Sequence, residues 1–471
     1  MRVSPESLRR REGRGGRGPP NAAFASFAPF GQNPAMIPAA RISAAIEILS
    51  DVEARRRPAA DAMKDWGLAH RFAGSGDRAA IAGLLYDALR RKSSSAWLLG
   101  EATPRAEVLG ALKQLRGLGV DEIAALFTGE GHAPPPLGDV ERERLSRADL
   151  AGAPAHVAGD YPEWLAPAFA ESFGAEAAEA GRALAERAPV DLRVNVLKSS
   201  REKALAALAH LLPVATSFSP IGLRIAVRAD GRGVALSAEP AYVRGLVEVQ
   251  DEGSQLATLL SGAKPGQQVL DLCAGAGGKT LALAGMMANQ GQIYATDTDG
   301  RRLAPIFSRL ERSGARNVQV RAPRGAQEIL RDLEGRCDLV FVDAPCSGSG
   351  AWRRSPDAKW RMRPGALEQR IKDQIETLET AARYVKPGGR IVYVTCSVLE
   401  AENEDRVSSF LEAHADFLPL DAAHMARAAG LPALAEHASR LGAGLRLDPL
   451  HTATDGFYIA VLTRAQVPCR G

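Results

Sequence analysis

Two cysteines, Cys346 and Cys396, occur in polar settings that differ from that of an ordinary buried thiol. Each follows an apolar run, in the segments DAPCSGSG (343–350) and RIVYVTCS (390–397). Because the carboxyl ends of parallel strands meet at one edge of a sheet, we expect both thiols at the same edge. Paired thiols suit methylation at C5 of a pyrimidine, since that carbon becomes nucleophilic only after a thiolate adds at C6.

The residues beside these thiols narrow the chemistry further. Asp343 ends the apolar run before Cys346, where its carboxylate can hydrogen-bond the ring or a cofactor. Amino-group methylases carry Asn/Asp-Pro-Pro-Tyr at the same strand end, whereas this chain has Asp-Ala-Pro-Cys, so carbon methylation is favoured. The residues alone leave open which thiol attacks. The alternative, an inert buried thiol, is adopted for Cys337.

A glycine-rich loop, DLCAGAGGKT, spans residues 271–280. It is not a phosphate-binding P-loop, because Cys273 stands where the first glycine is required. It also departs from the dinucleotide fingerprint, because Thr280 occupies the third glycine position, and this opposes a nicotinamide dehydrogenase. The loop still allows close backbone approach at a helix N-terminus, and Asp297 at the end of the next strand can accept both ribose hydroxyls. The pattern predicts a nucleoside cofactor.

The composition excludes several classes of protein. With 471 residues and 46% hydrophobic residues, the chain is too long for one ordinary domain and too apolar for disorder throughout. No apolar run is long enough to span a membrane. Five cysteines and eight scattered histidines favour free thiols and no metal site. The net charge of +4 arises entirely within residues 1–18, which hold six arginines and two glutamates, so it indicates nothing about a partner of the folded part.

The composition of the sequence and the spacing of its apolar residues change along the chain and predict four segments. Residues 1–35 form a basic, Arg/Gly-rich tail expected to be disordered, and residues 36–155 show helical spacing of apolar residues, typical of an all-α domain. Residues 156–245 mix strands and helices in a small α/β domain. From residue 246 to 466, apolar strands alternate with helices, which predicts a parallel sheet covered by helices on both faces.

Two groups of residues are candidates for RNA contact. The first strand of the small α/β domain carries Arg193, Asn195 and Lys198, although an exposed strand face is an equally ordinary explanation. Four cations follow the Cys346 loop, with Trp352 and Trp360 between them as candidates for base stacking or for ordinary packing. These cations are Arg353, Arg354, Lys359 and Arg361.

These motifs together resemble the RsmB/Sun family of S-adenosylmethionine-dependent RNA 5-methylcytosine methyltransferases. The resemblance rests on VQDEGSQLA (249–257), DLCAGAGGKT, FVDAPCSGSGAWRRSPDAKWR (341–361), KPGGRIVYVTCSVLEAENED (386–405) and DGFYIAVL (455–462). It implies a doubly wound, Rossmann-like methyltransferase domain, preceded by a small RNA-recognition-like domain and an N-terminal all-α domain similar to antitermination factors.

The resemblance also implies roles for individual residues. Cys396 is then the nucleophile, Cys346 assists product release, and Asp343 lies between cofactor and base. Asp297 holds the cofactor's ribose, and the loop holds its methionine and ribose portions. The implied loop residues are Cys273, Ala274, Gly275, Ala276, Gly277, Gly278 and Lys279.

Two positions depart from the family pattern. Gly275–Ala276 replace Ala–Pro in the loop, and Ala322–Pro323 stand where an acidic residue commonly contacts the adenine side of the cofactor. The resulting expectation is a cytoplasmic, monomeric enzyme that methylates cytosine C5 in ribosomal RNA. A transfer-RNA enzyme with the same chemistry and an RNA-binding assembly factor with weak catalysis are the alternatives.

Overall fold

The structure is a computed structural model that describes residues 35–147, 149–227, 234–323 and 328–466. The basic tail expected at residues 1–35 lies outside these ranges except for its last residue, and Cys469 lies outside them as well. Within the described ranges the chain forms an N-terminal helical part, a small antiparallel sheet with helices, and a larger sheet flanked by helices.

The N-terminal part consists of packed helices, as the apolar spacing predicts. In α1, Ile42, Ile48 and Leu49 lie on one buried face, and Leu85 and Leu89 of α3 belong to the same hydrophobic cluster. The helices are α1 (Pro38–Arg55), α2 (Ala59–Ala69), α3 (Ser75–Arg90), α4 (Lys92–Leu99), α5 (Pro104–Arg116), α6 (Val120–Leu126), α7 (Asp139–Arg147) and α8 (Ala155–Ala158).

The small α/β part follows two connecting helices. Its strands form an antiparallel sheet in the order β2-β3-β1-β4. Strand β1 ends at Val194, so Val196 lies beyond it and is exposed. The elements are α9 (Ala166–Phe173), α10 (Ala177–Ala185), β1 (Val190–Val194), α11 (Arg201–Ala207), β2 (Val214–Ala215), β3 (Gly222–Ile225), α12 (Pro240–Val243) and β4 (Val247–Val249).

The third part contains an eight-stranded sheet in the order β10-β12-β9-β8-β5-β6-β7, with β11 paired to β12. Its elements are α13 (Glu252–Leu259), β5 (Gln268–Asp271), α14 (Gly278–Met286), β6 (Gln292–Ala295), α15 (Gly300–Leu303), α16 (Ile306–Ser313), β7 (Val318–Val320), β8 (Cys337–Asp343), α17 (Pro356–Arg361), α18 (Pro364–Tyr384), β9 (Val385–Thr395), α19 (Glu404–Ala413), β10 (Phe417–Pro419), α20 (Ala422–Ala428), β11 (Leu445–Leu447) and β12 (Phe457–Arg464).

Strands β5 to β9 are parallel, as the alternation of strands and helices predicts. The late strand β12 departs from that expectation, because it runs antiparallel to β9. It also pairs antiparallel with β11, to which it is joined by a connection too short for a helical crossover. As a result, Phe457 at the start of β12 lies beside the carboxyl end of β9, where functional residues are expected.

The core of this part lies on both faces of the sheet. Along β9, Ile391 and Tyr393 belong to one hydrophobic cluster, while Val392 and Val394 belong to the cluster on the opposite face. This alternation follows from the two-residue period of a strand. A strand buried on both faces is rigid, so the loops that leave its carboxyl end are held in fixed positions.

Candidate active site

The two predicted cysteines meet at the carboxyl edge of the parallel strands. The Sγ atoms of Cys346, three residues after β8, and Cys396, directly after β9, are 3.4 Å apart. The backbone N–H of Gly350 donates to the carbonyl of Cys396 at 2.9 Å, which ties one thiol loop to the other. Both cysteines are half-buried. The pair is therefore fixed by the backbone while remaining open to a ligand.

A residue that the sequence analysis missed, Glu402, joins the two thiol loops. Its fully buried carboxylate accepts hydrogen bonds from the Ser347 backbone N–H at 2.7 Å and from the Ser347 hydroxyl at 2.5 Å. The Ser397 hydroxyl donates to it at 2.5 Å, and the Gln374 amide of α18 donates at 3.0 Å. Ser347 follows Cys346 and Ser397 follows Cys396, so one carboxylate holds both loops. Its sequence signals were an acidic cluster, EAENED (400–405), shortly after β9, and its place within the segment 386–405 that carries the resemblance.

The charges around the two thiols differ. The hydrogen bond with Cys396, burial and the negative charge of Glu402 raise the pKa of the Cys346 thiol well above its ordinary value. Lys279 is close enough to Cys396 for the two groups to interact electrostatically. A cation therefore lies near Cys396 and an anion near Cys346, so the charges next to the two sulfur atoms differ in sign.

Lys279 also holds Asp343. Its Nζ donates to Asp343 Oδ2 at 2.6 Å and lies 5.5 Å from the centre of the Phe457 ring. Burial disfavours the charged amine, but the charge and hydrogen bond of Asp343 outweigh it, and the pKa of Lys279 is raised. The predicted loop lysine and the predicted strand-end carboxylate therefore form one ion pair at the site.

The glycine-rich loop connects β5 to α14 and has the geometry that close backbone approach requires. Gly277 has φ +82°, and a Cβ there would lie 2.4 Å from Ile306 Cγ1, so any larger residue is both strained and obstructed. The Gly275 N–H donates to Asp297 Oδ2 at 3.0 Å. Arg309 donates to the Ala276 carbonyl at 2.9 Å, and the Ala274 N–H donates to the Thr296 carbonyl at 2.8 Å.

A cleft of about 470 Å³ lies between this loop and α18. Cys273, Asp297 and Asp343 line one side of it, and Asp373 and Glu376 of α18 line the other. Pro323 also lines the cleft. It stands at the position where the family pattern commonly has an acidic residue. Burial raises the pKa of the Cys273 thiol far above its ordinary value, so Cys273 is a wall of the cleft and not a second nucleophile.

Asp271, at the end of β5, is a further carboxylate near this cleft. It is fully buried, its Oδ2 accepts a hydrogen bond from the Thr280 hydroxyl at 2.6 Å, and its Oδ1 has no partner in the described part of the chain. Burial raises the pKa of this carboxyl to about 7. Its position carries no distinctive sequence signal, because an aspartate that ends a strand is common.

The residues predicted to contact RNA in the small α/β domain lie elsewhere than expected. Arg193 and Asn195 are buried. Arg193 Nη1 donates to Gln250 Oε1 at 2.6 Å and to the Gly278 carbonyl at 2.8 Å, and the Asn195 amide donates to the Gly245 and Ser313 carbonyls. The donors of both side chains are therefore used inside the protein. Each side chain connects the small α/β part to a helix of the third part, because Gly278 begins α14 and Ser313 ends α16.

Lys198 is the member of that group that remains at the surface. Its Nζ donates to the Arg312 carbonyl at 2.5 Å and to the Arg244 carbonyl at 3.2 Å. A protein-bound amine at the surface still carries a charge that can attract a phosphate, so the structure leaves this prediction open.

The cationic run after Cys346 is only in part the surface patch that the sequence suggested, because Arg354 and Arg361 are exposed whereas Arg353 and Lys359 are buried. Arg353 lies between Asp251 and Asp455, and the exposed Arg354 pairs with the same two carboxylates. Lys359 is buried, and its Nζ donates to the Asp160 carbonyl at 2.5 Å. Buried cations of this kind are paired inside the protein, which a one-dimensional pattern cannot distinguish from a surface patch.

The two tryptophans of that run are also packing residues. Trp352 is buried and stacks on Phe169 with ring centres 5.9 Å apart, and the Trp360 indole N–H donates to the Leu89 carbonyl at 2.7 Å. Of the two interpretations given from the sequence, the structure supports packing for both. Arg361 is exposed and pairs with Asp357 at 3.1 Å.

Candidate metal sites and membrane-spanning helices are both absent from the described residues. Among the described residues no group of His, Cys, Asp and Glu side chains could hold a metal ion. In the same residue ranges no helix is long and apolar enough to cross a membrane.

Comparisons with known proteins agree with the site. Residues 257–463 match the family model described as 16S rRNA methyltransferase RsmB/F, and residues 161–230 match a ferredoxin-like domain described as Methyltr_RsmF/B-like. The ribosomal RNA small subunit methyltransferase B of Xanthomonas campestris pv. campestris is 32% identical over 406 residues, covering 83% of this chain and 89% of that protein.

Two further matches extend over much of the chain. The probable ribosomal RNA small subunit methyltransferase B of Synechocystis sp. is 32% identical over 308 residues, covering 65% of this chain and 67% of that protein. The crystal structure described as PH0851 superposes with a TM-score of 0.67 at 25% identity, covering 91% of this chain and 99% of that one. These findings confirm the resemblance and the Rossmann-like fold predicted from the sequence, and the chain belongs to the RsmB/F family of methyltransferases.

Proposed function

We propose that this protein methylates C5 of a cytosine in small-subunit ribosomal RNA, using S-adenosylmethionine as methyl donor and a covalent adduct between Cys396 and C6 of the base. The observation that carries the proposal is the pair of Sγ atoms 3.4 Å apart, one of them in a loop whose preceding residues, Asp343 and Pro345, line a cleft of about 470 Å³. The choice of RNA is supported by the relatives described above, which are named ribosomal RNA small subunit methyltransferase B.

The residues around the cleft fit S-adenosylmethionine. The buried carboxylate of Asp297 is held by the N–H groups of Gly275 and Asp299, and it lies where a ribose can use its remaining acceptor positions. The cleft volume of about 470 Å³ lies in the range of small-molecule sites. When bound, S-adenosylmethionine supplies an electrophilic methyl group. The loop from Cys273 to Lys279 and Asp297 are proposed to hold it.

The first step proposed for this chain is attack by Cys396. Its sulfur forms a bond to C6, and the electron pair of the C5–C6 bond becomes available at C5 as an enamine. Lys279 is proposed to hold its positive charge near the attacking sulfur of Cys396. Asp343, held by Lys279 at 2.6 Å, faces the cleft and is proposed to orient the ring.

The second step is release of the methylated base. A base removes the C5 proton, the C5–C6 double bond forms again, and the bond between C6 and the Cys396 sulfur breaks. Cys346, with its sulfur 3.4 Å away, donates a hydrogen bond to the departing sulfur as negative charge returns to it. The raised pKa of Cys346 keeps that proton in place.

The target cytosine must be unpaired or extruded, because attack at C6 requires access to the face of the ring. We further propose that the protein works in the cytoplasm and acts as a monomer.

The experiment that tests the proposal measures methyl transfer from labelled S-adenosylmethionine to an unmodified small-subunit rRNA transcript, to small subunits and to total transfer RNA. Bisulfite sequencing then identifies the methylated cytosine. We expect label in C5 of a cytosine of the small-subunit rRNA. Label confined to transfer RNA supports the alternative substrate, and binding of rRNA without transfer identifies an assembly factor.

A further inference from the structure

The carboxylate of Glu402 is buried beside the reacting thiols, yet none of the steps proposed above uses it. In the described part of the chain its hydrogen bonds come from neutral donors: the Ser347 backbone and hydroxyl, the Ser397 hydroxyl and the Gln374 amide. A carboxylate buried in this way is costly unless its acceptor positions are satisfied, so its presence calls for a reason.

The donors around Glu402 suit the ionised form. The Ser347 N–H and the Gln374 amide N–H can only donate, and both point at Oε1, at 2.7 and 3.0 Å. The second proton of the same Gln374 amide goes to the Pro345 carbonyl at 3.0 Å, which fixes the orientation of the amide. The remaining oxygen, Oε2, receives the two serine hydroxyls. An ionised carboxylate accepts this number of bonds, whereas a protonated one would need an acceptor for its own proton.

We propose that Glu402 is a positioning residue for both thiols, and that its negative charge keeps Cys346 as the protonated member of the pair during release of the product. The inference rests on the function proposed above. Its two parts have separate origins, since the distance between the loops depends on the length of the side chain and the protonation of Cys346 depends on its charge.

The other groups that face Cys346 are accounted for as follows. Cys396, at the end of β9, shares the hydrogen bond with it. Tyr393, also on β9, donates its hydroxyl to the Glu402 carbonyl at 2.7 Å, and burial together with the charges of Cys346 and Glu402 raises the pKa of that phenol. Lys279, from α14, acts on Cys396 and is paired with Asp343 of β8. The charge of Cys396 and then that of Glu402 oppose ionisation of Cys346, while a hydrogen bond from the Gly348 backbone favours it. Glu402 is therefore the carboxylate whose charge acts on Cys346.

Two substitutions separate geometry from charge. E402Q keeps the size of the side chain and its polar atoms but removes the charge, while E402D keeps the charge on an arm that is one methylene shorter. The matched control is E400Q, because Glu400 lies in the same turn, is only partly buried, and loses the same charge without touching either thiol loop. Each full-length variant is incubated in excess with labelled S-adenosylmethionine and an unmodified small-subunit rRNA transcript, from about pH 7 to about pH 11, a range that extends above the ordinary pKa of a thiol.

Two rates are measured: methyl transfer, from label in 5-methylcytosine, and release, from the decay of the RNA–protein adduct on a denaturing gel. Removing an anion lowers the pKa of a neighbouring thiol, so Cys346 in E402Q loses its proton at lower pH. We expect the alkaline loss of release to move down by about one pH unit in E402Q, so that adduct persists at an alkaline pH at which the wild type still releases its product. In E402D we expect methyl transfer to slow by about tenfold, as misplacement of reacting groups does, with the alkaline limb of release unchanged. E400Q should behave as the wild type.

The inference is overturned if E402Q releases product with the wild-type pH profile, or if E402Q and E402D slow both steps equally. Should E402Q fail to fold, Ser347→Ala carries the test, because it removes the hydroxyl bond of the Cys346 loop alone and should slow release more than transfer; equal slowing overturns the inference. A wild-type protein that forms no 5-methylcytosine contradicts the proposed function instead, so the two failures are distinguishable.

Discussion

At the scale of single residues, two chemically identical thiols acquire different roles from their neighbours. Cys396 lies near the cation Lys279, whereas Cys346 lies near the anion Glu402. Opposite charge favours the thiolate and like charge disfavours it. The sequence contains both cysteines but not these distances, which is why the residue pattern alone left open which thiol attacks.

This asymmetry predicts different outcomes for the two alanine variants. Cys396→Ala removes the nucleophile, and we expect methyl transfer to rRNA to fall by about a thousandfold or more. Cys346→Ala keeps the nucleophile but loses the hydrogen bond to the departing sulfur. That variant should transfer one methyl group and then remain attached to the RNA, as a band that survives denaturation on a gel.

The double variant Cys346→Ala/Cys396→Ala is the matched control, and it should form no adduct. An adduct that forms in Cys396→Ala, or full activity of that variant, contradicts the assignment of the nucleophile.

Glu402 shows what the residue pattern could not supply. Cys346, Cys396, Asp343 and Lys279 were predicted because each follows a strand or lies in a recognisable loop. Glu402 lies in a turn before α19, within a cluster of acids that resembles an ordinary solvated surface. Only the folded chain shows that its carboxylate is fully buried and joins both thiol loops.

At the scale of elements, the start of α14 depends on a backbone shape that one residue supplies. Gly277 combines φ +82° with a neighbour, Ile306, that leaves no room for a Cβ. We expect Gly277→Ala to cost about 1–2 kcal/mol from the left-handed backbone and about 1–3 kcal/mol more from crowding. The midpoint of thermal unfolding without cofactor should fall accordingly.

Gly278→Ala is the neighbouring control for that measurement. Gly278 is the first residue of α14, and a Cβ there would meet nothing closer than 3.8 Å. Alanine is also the better helix former, so the unfolding midpoint should stay level or rise. A similar loss in both variants would show that the fall in Gly277→Ala comes from something other than its backbone conformation.

The elements that sequence reasoning predicted best are those with the strongest local signal. Apolar runs marked β5, β6, β8 and β9, and helical spacing marked the N-terminal helices, since burial of one face or both imposes these periods. Local signals ended where tertiary contacts decide. The apolar run that marked β9 starts at Arg390, whereas the strand begins at Val385 and includes Pro387–Gly389.

The direction of β12 and the burial of Arg193 and Lys359 share a physical origin. A strand's direction depends on which neighbour it joins, and a cation is buried only if carbonyls or carboxylates from distant segments surround it. Arg193 finds its partners in Gln250 and Gly278, and Lys359 finds one in Asp160. None of these partners is adjacent in sequence to the cation that it binds. The charge and position of Arg193 and Lys359 therefore suggested RNA contacts, whereas in the structure both side chains connect separate parts of the chain.

At the scale of the whole molecule, buried cations connect the parts of the chain. Arg90 of α3 donates to the Arg353 carbonyl at 2.8 Å, and Lys359 of α17 reaches the Asp160 carbonyl at 2.5 Å. Because residues 1–35 are predicted from their Arg/Gly-rich sequence to be a disordered basic tail, we expect deletion of residues 1–34 to leave methyl transfer unchanged within about twofold at equal salt. If the deletion lowers methyl transfer and added salt does not lower transfer by the full-length protein in the same way, the tail has a direct part in catalysis.

The junction at Lys359 predicts a dependence of stability on pH. Burial lowers the pKa of this amine from 10.5 to about 7 in the folded protein, with the nearby carboxylate of Asp160 opposing the shift. Between these two values the unfolded chain binds a proton that the folded chain does not, so raising the pH favours folding. Below about pH 7 both states are protonated and the cost of burying the charge is fully present.

The thermal unfolding midpoint of the wild type, measured against that of Lys359→Met, should therefore rise as the pH increases from about 7 to about 10, by about 2–4 °C for each kcal/mol gained. Subtracting the variant removes the titration of groups common to both proteins. The control is Lys372→Met, because Lys372 is an exposed lysine of α18 and its comparison with the wild type should be flat over the same range. If the difference in unfolding midpoint between the wild type and Lys359→Met is equally independent of pH, the amine keeps its proton in the folded state. Lys359 is then buried as a charged group that is balanced by Asp160.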